Sequence, residues 1–205
     1  MLLKAPEQRL SSRTNCTIVP SRGPTPSALG VELRYTFCMR VLGIDCGTEC
    51  TGYGVVELRP DGRLVYLAGG AIQLSARDPL PNRLARIFDR MRAIIDEHRP
   101  DNVAIEDVFY ALNVKSALKL GQVRGVAMVV ASRAGLDVAE YSPLSIKSAV
   151  VGYGRAEKQQ VQQMVTRLLD LEAIPEPPDV ADALAIAICH LHTTATLERQ
   201  QSATR

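Results

Sequence analysis

The chain has 205 residues, 46% of them hydrophobic and 22% charged, which fits one well-packed globular domain with a tail. Wholly apolar runs of about 18 residues do not occur, so we expect no membrane span. The formal net charge of +2 excludes a uniformly basic protein, and a DNA-binding surface would have to be a local patch.

The first segment, residues 1–38, is rich in Ser, Thr, Pro and Arg and predicts a disordered N-terminal extension. It carries five basic and two acidic residues, which leaves 19 basic and 20 acidic residues in the rest of the chain. Met39 stands immediately before the first strong strand pattern. The extension is therefore either a functional part or the result of an upstream start.

A meander of three strands follows, predicted at 39–45, 53–58 and 63–74. Apolar residues at helical spacing predict a helix over 79–98. The alternation then continues with a strand at 102–106, a helix at 115–133, a strand at 136–141 and helices near 157–171 and 180–193. This order predicts an α/β fold with a mixed five-stranded sheet and helices on both faces. We expect one folded domain over 39–195 and a flexible tail over 196–205.

Four carboxylates stand where such a fold could bring them together. Asp45 and Glu106 each close an apolar strand, and Asp179 and Asp182 open an apolar helix. An unpaired carboxylate in a strand core costs several kcal/mol or takes up a proton, and a divalent cation removes that penalty. Two hard cations held about 4 Å apart by carboxylates stabilise both the attacking and the leaving oxygen of a phosphodiester. The pattern predicts a magnesium-dependent nuclease site.

Each acid also has a purely structural interpretation. Asp45 suits a turn before Gly47, and Glu106 suits a solvated strand end. Asp179 suits a helix N-cap, with Asp182 near the positive end of the helix. Capping does not explain why both helix acids share one face at an i, i+3 spacing.

Five irregularly spaced cysteines indicate reduced thiols in a cytoplasmic protein. Cys46 and Cys50 could begin a zinc site, but no second pair completes it. His190 and His192 are interpreted as surface residues near the end of a helix.

Five blocks of sequence now carry a family resemblance: GIDCGTECTGYGVVE (43–57), AIEDVF (104–109), SALKLGQVRGVA (116–127), VVGYGRAEKQQVQQMV (150–165) and DVADALAIAICHLH (179–192). The chain resembles the bacterial RuvC family of Holliday junction resolvases over about 39–193. The resemblance implies an RNase H-like fold, a homodimer, and paired symmetric nicks in four-way junction DNA during recombination and repair. It places the catalytic, metal-binding carboxylates on the four acids already selected.

The same resemblance implies two Mg²⁺ per subunit, with Mn²⁺ as the alternative metal, and the RuvA–RuvB branch-migration complex as a partner. The predicted helix at 115–133 is apolar nearly all round, which suits packing against a second copy.

Basic residues could surround the acids and contact phosphates: Lys115, Lys119, Arg124, Lys147, Arg155 and Lys158. In the resemblance, Lys147 and Lys158 match lysines of the family's DNA-binding surface. Phe109 matches an aromatic residue beside the junction, where it could stack on an unpaired base.

Two alternatives remain open at this stage. The segment IDCGTECTG (44–52) resembles the first phosphate loop of the actin and sugar-kinase ATPases, and Gly52 and Gly54 could let a phosphate approach closely. Those ATPases need a second domain and further glycine-rich motifs. The other alternative is a non-catalytic junction-binding module, in which the acids only cap helices and contact solvent.

Overall fold

The structure is a computed structural model, and it describes residues 38–107 and 114–203, with side chains over 38–107 and 116–201. Its centre is a five-stranded sheet in the order β3-β2-β1-β4-β5. The strands are β1 (Met39–Asp45), β2 (Cys50–Leu58), β3 (Leu64–Gln73), β4 (Asn102–Glu106) and β5 (Asp137–Tyr141). β1, β2 and β3 pair antiparallel, and β4 and β5 continue the sheet in parallel to β1. The predicted mixed sheet is confirmed.

The helices are α1 (Leu80–His98), α2 (Val114–Arg133), α3 (Pro143–Val151), α4 (Lys158–Leu168) and α5 (Pro178–Ala203). Helix α3 was not predicted, although the sequence carries its start and stop signals. Ser142 caps its first turn by accepting a hydrogen bond from the Ser145 amide, and Pro143 occupies the first position. Gly152 ends it with φ of 94°, in the left-handed region that favours glycine.

The sheet separates two hydrophobic cores. Side chains alternate between the faces of a strand, so Val41 and Ala104 face α3, α4 and α5, while Leu42 and Val103 face α1 and α2. Both faces of the central strands are therefore buried, which explains their nearly continuous apolar sequence.

Helix α5 lies unusually close to the sheet because glycines stand beneath it. A Cβ added at Gly43 would lie 2.1 Å from the Ala183 carbonyl oxygen, and one at Gly52 would lie 2.0 Å from the Asp179 carbonyl oxygen. At Gly54 it would meet the Leu184 side chain at 2.6 Å. The prediction that Gly52 and Gly54 admit a phosphate is therefore corrected, since both glycines admit α5.

Helix α5 also differs from the sequence predictions in hydropathy and length. Over residues 178–201 it is long and apolar enough to cross a membrane by composition, but 67% of its apolar window is buried inside the protein. Packing against the sheet accounts for that hydrophobicity. The helix continues to Ala203, so residues 196–203 are helical where a flexible tail was predicted. The predicted extension lies almost wholly outside the described residues.

Candidate active site

The first two acids reach one edge of the sheet through strand pairing. β1 and β4 run parallel with Ile44 opposite Ile105, so the next residues, Asp45 and Glu106, end neighbouring strands at the same level. Asp45 lies two residues after Gly43, on which α5 packs, and Glu106 lies two residues after Ala104, in the core beneath α5. Because side chains alternate along a strand, both carboxylates point to the α5 face.

The other two acids are delivered by α5. Asp45 pairs with Gly52 across β1 and β2, and the backbone of Asp179 lies directly over Gly52. Asp182 follows three residues later, on nearly the same side of the helix. The close contact between α5 and the two strands therefore brings Asp182 into one cavity with Asp45 and Glu106, and it brings Asp179 near enough for its charge to raise the pKa of Asp45.

Burial and mutual repulsion raise the pKa values of two acids in this cluster. Burial, followed by the charges of Asp182, Glu106 and Asp179, raises the pKa of Asp45 from 3.8 to about 7. Burial and the charge of Asp182 likewise raise the pKa of Glu106, and Lys147 and Lys158 oppose that rise. The protein thus keeps several carboxylates in a place where they are costly to ionise together.

Two lysines, Lys147 and Lys158, lie beside the acidic cluster. Lys158 Nζ lies 2.6 Å from Asp182 Oδ2, and this hydrogen bond raises the pKa of the lysine. Lys147 and Lys158 line a cavity of about 200 Å³ together with Asp45, Glu106 and Asp182. The cavity therefore combines acids that attract cations with ammonium groups that attract phosphates.

The donor set suits a hard divalent cation. All four groups offer carboxylate oxygens, which Mg²⁺ prefers, and a bound cation would relieve the repulsion that raises the pKa of Asp45. Within residues 38–107 and 116–201, no three His, Cys, Asp or Glu side chains lie in an arrangement that could hold a metal ion as they stand. One oxygen of Asp182 contacts Lys158 instead. Cation binding therefore needs a small side-chain rearrangement, in which Lys158 releases Asp182.

The neighbouring thiols are poor metal ligands in this setting. Burial and the charge of Asp45 raise the pKa of Cys46 to about 12. Burial and a hydrogen bond to Asp179 raise the pKa of Cys50 to about 11. Both thiols therefore stay protonated at neutral pH, and Cys50 donates to a carboxylate of the cluster.

Arg124 differs from its predicted role as a phosphate contact. Its side chain is only 12% exposed, and its guanidinium is paired with Asp107 at 2.9 Å and with Glu140. Asp107 directly follows Glu106, and Glu140 lies on β5. Arg124 is therefore a clamp that fixes α2 to the strand ends beside the acidic cluster.

Arg83, which was not selected from the sequence, also holds a helix against the loops beside the acidic cluster. It is buried on α1 and donates from Nη1 to the Thr48 carbonyl oxygen at 2.8 Å, in the turn that follows Asp45. A buried arginine within an otherwise apolar helix face is a sequence signal that could have identified it, because such a charge needs a partner.

The remaining predicted DNA contacts are placed as follows. Arg155 is exposed on the loop between α3 and α4, and Lys119 is half-buried on α2. Lys115 lies in the first turn of α2, where only the backbone is described, and Phe109 lies outside the described residues.

The two histidines join helix α5 to its surroundings. His190 is buried, contrary to its interpretation as a surface residue, and its Nδ1 shares a 2.9 Å hydrogen bond with Tyr141 Oη. Tyr141 pairs with Glu106 in the register of β4 and β5. His192 shares a hydrogen bond with the Ala149 carbonyl oxygen of α3. These bonds hold α5 against β5 and α3.

The order and pairing of this sheet are those of the RNase H-like class of proteins. The family model described as "Crossover junction endodeoxyribonuclease RuvC" matches residues 41–190. The chain belongs to the RuvC family of crossover junction endodeoxyribonucleases.

Individual relatives agree with this assignment. The RuvC of Koribacter versatilis is 65% identical over 164 residues, covering 80% of this chain and 99% of the relative. That of Heliobacterium modesticaldum is 55% identical over 155 residues, covering 76% and 95%.

Solved structures agree as well. Thermus thermophilus RuvC in complex with a Holliday junction substrate is 36% identical, with a TM-score of 0.73 and coverage of 76% of this chain and 94% of that chain. The yeast mitochondrial Holliday junction resolvase Ydc2, 16% identical with a TM-score of 0.60, shares the fold over 80% of this chain and 84% of its own.

Proposed function

We propose that this chain resolves four-way DNA junctions by paired symmetric nicks, and that Asp45, Glu106, Asp179 and Asp182 are its catalytic, metal-binding residues. The observation that carries the proposal is the convergence of these acids on one edge of the sheet, with the pKa of Asp45 raised to about 7. Structural capping alone gives no reason to place Asp45 and Glu106 next to the two helix acids.

In this proposal the acids bind cations and the lysines contact phosphate. The four carboxylates hold the cations, which are two Mg²⁺ per subunit or, alternatively, Mn²⁺. Divalent cations held there would supply activation of a water molecule and stabilisation of the leaving oxygen of the phosphodiester. Lys158 exchanges its contact with Asp182 for the phosphate of the strand to be cut, and Lys147 neutralises the same phosphate from α3.

Other contacts extend the DNA surface beyond the cavity. Arg155, Lys119 and Lys115 contribute phosphate contacts, and Phe109 stacks on a base near the crossover. Arg124 is excluded from this set because its guanidinium already pairs with Asp107 and Glu140.

The assembly that we propose is a homodimer, since a four-way junction presents two equivalent strands and symmetric nicks need two active sites. The exposed side chains of Leu118 and Val129 on α2 support this proposal, because they offer apolar surface to a second copy. RuvA–RuvB is the proposed partner in the cytoplasm. Residues 39–195 form the proposed nuclease domain, and the family model covers 41–190 of it.

One experiment tests the proposal directly. Synthetic four-way junction and linear duplex of the same sequence are incubated with the wild-type chain and with Asp45→Asn, in Mg²⁺ or in chelator, and each strand is labelled in turn. We expect the wild type to nick two opposed strands of the junction only with Mg²⁺. The amide should keep junction binding but lower cleavage by far more than about tenfold, because a metal-binding charge is lost.

Asp61→Asn is the matched control, since Asp61 is an exposed acid in the turn between β2 and β3, at the opposite end of the sheet. It should cleave like the wild type. Nicking in chelator, or nicking by Asp45→Asn at more than about a tenth of the wild-type rate, would refute the metal-site assignment. Junction binding without any nicking would instead favour the non-catalytic module, and ATP hydrolysis would favour the ATPase.

A further inference from the structure

Two large apolar side chains stand exposed at the rim of the catalytic cavity. Tyr153, on the loop between α3 and α4, is 47% exposed, and Leu144, in the first turn of α3, is 63% exposed. Leu144 lies against the same loop, because a Cβ on Gly154, which follows Tyr153, would lie 2.6 Å from Leu144 Cγ. We call Leu144 and Tyr153 the rim patch.

The rim patch stands next in the chain to residues that line the cavity. Pro143 and Ile146 of α3 line the cavity on either side of Leu144 in sequence, and Lys147 follows one turn after Leu144. On the other side, Lys158 begins α4, shortly after Tyr153, and lines the same cavity. A DNA strand that contacts Lys147 and Lys158 and continues along the loop between α3 and α4 would reach the rim patch.

The ring of Tyr153 is held in a defined orientation. Tyr153 Oη donates a 2.8 Å hydrogen bond to Gln160 Oε1, which also accepts from the Glu157 amide at 2.9 Å. Glu157 and Gln160 form the capping box of α4, so the ring is tied to the same helix end that positions Lys158. An exposed ring that is already immobilised loses little entropy when a ligand packs on it.

The charges around the rim patch identify the kind of ligand. Residues 143–168 contain four basic residues and a single acid, Glu157. Such a combination of a fixed aromatic ring and surrounding cations suits a nucleotide, whose base or sugar packs on the ring while its phosphate pairs with lysine or arginine. Arg155, exposed two residues after Tyr153, is in place for such a phosphate.

We propose that Tyr153 is a stacking platform for a nucleotide next to the strand that is cut, with Leu144 supporting that nucleotide from below. The proposal rests on the proposed junction cleavage, and it adds a contact that positions the strand over Asp45 and Glu106. The tyrosine acts by positioning the substrate strand and exchanges no proton with it.

Tyr153→Ala, Tyr153→Leu and Tyr153→Phe are compared in single-turnover cleavage of the four-way junction. Stacking energies of a base on an aromatic ring predict that Ala and Leu lower the rate at subsaturating enzyme by about 5- to 150-fold. Phe keeps the ring and should lose less than about fivefold. Tyr66→Ala is the matched control, because Tyr66 is 37% exposed on β3 and lines a different groove; it should cleave like the wild type.

A second measurement reports the contact without cleavage. In an Asp45→Asn background, 2-aminopurine is placed in turn at the nucleotides flanking the crossover, and stacking on Tyr153 should change its fluorescence at one of them. The change should disappear with Ala and Leu and persist with Phe. This signal remains readable even if the wild type fails to cleave, so a failure of the proposed function stays distinguishable from a failure of the stacking proposal.

Three outcomes would overturn the stacking proposal. Ala and Leu could cleave like the wild type, with the fluorescence unchanged, which would leave the rim patch to a protein partner. Phe could lose as much as Ala, which would assign the effect to the bond with Gln160. All three variants could lose thermal stability in proportion to activity, which would make Tyr153 a packing residue.

Discussion

The two faces of the sheet hold their helices in different ways. On one face α5 touches the backbone of β1 and β2 at Gly43 and Gly52, so the distance between helix and strand is set by main-chain contact. On the other face α1 packs through large side chains such as Ile87 and Met91 onto Leu42 and its neighbours. Side chains in an interlocked core can repack after a small change, whereas two backbones in contact cannot. The acids stand on the face that has less freedom to adjust.

The largest effect is expected from Gly52→Ala. The added Cβ would lie 2.0 Å from the Asp179 carbonyl oxygen, so α5 must move away from β2. Overpacking of this kind costs about 1–3 kcal/mol of unfolding free energy. A displacement near 1 Å of Asp179 and Asp182 should lower cleavage by about 100-fold. Urea unfolding and single-turnover cleavage measure the two effects separately.

Two control substitutions sharpen the contrast. Gly121→Ala on α2 meets no atom of its own subunit within 4 Å and should stabilise the protein by about 0.5–1 kcal/mol. Ile87→Val, in the core of the other face, should cost about 0.5–1.5 kcal/mol and leave cleavage unchanged. Equal loss of cleavage in Ile87→Val and Gly52→Ala would show that the two faces do not differ in the proposed way.

A smaller effect is expected from Arg124→Ala, which removes the clamp between α2 and the ends of β4 and β5. Losing the hydrogen bonds to Asp107 and Glu140 should cost about 1–3 kcal/mol of unfolding free energy and about tenfold in cleavage rate. Junction binding should keep its dependence on salt concentration. Arg124→Lys should keep little of the lost stability or cleavage rate, because lysine lacks the planar guanidinium that reaches both acids.

Lys119→Ala is the matched comparison on the same helix. If Lys119 contacts a phosphate, its loss should weaken junction binding and reduce the slope of the salt dependence by about 1, with little change in stability. A flatter salt dependence in Arg124→Ala, with unchanged stability, would return Arg124 to the set of phosphate contacts.

The last prediction concerns stability alone, which should depend on pH in the absence of divalent cations. The pKa of Asp45 is raised from 3.8 to about 7 in the folded protein, so between these values the folded state binds more protons than the unfolded state. The unfolding free energy should therefore fall as pH rises from about 4 to about 7, and Mg²⁺ should restore it near neutral pH. Urea unfolding of the wild type and Asp45→Asn, in chelator, measures this contribution as the difference between their pH profiles. Parallel profiles would contradict it.

Much of the fold was predictable because its signals are local. Alternating and continuous apolar runs predicted the five strands, and helical spacing predicted α1, α2, α4 and α5. All but one of the predicted ends lie within about three residues of the observed ends, and the exception is α5, which continues to Ala203. Helix α3 was not predicted, although Ser142, Pro143 and Gly152 mark it, because its nine residues are too few to show a clear helical period. The buried arginines could not be assigned partners, since Asp107 and Glu140 lie 17 and 16 residues from Arg124.

The sequence by itself was enough to select the four acids as candidate metal ligands. Carboxylates at apolar strand ends and at a helix start are costly without a cation, and that cost can be read from residue types and spacing alone. Only the tertiary structure decided that Asp45 and Glu106 share a face of the sheet. It also decided that Gly43 and Gly52 let α5 and its two acids lie close to the strands, and that the Arg124 side chain turns inward. These outcomes depend on strand register and on contacts between distant segments, which no local pattern specifies.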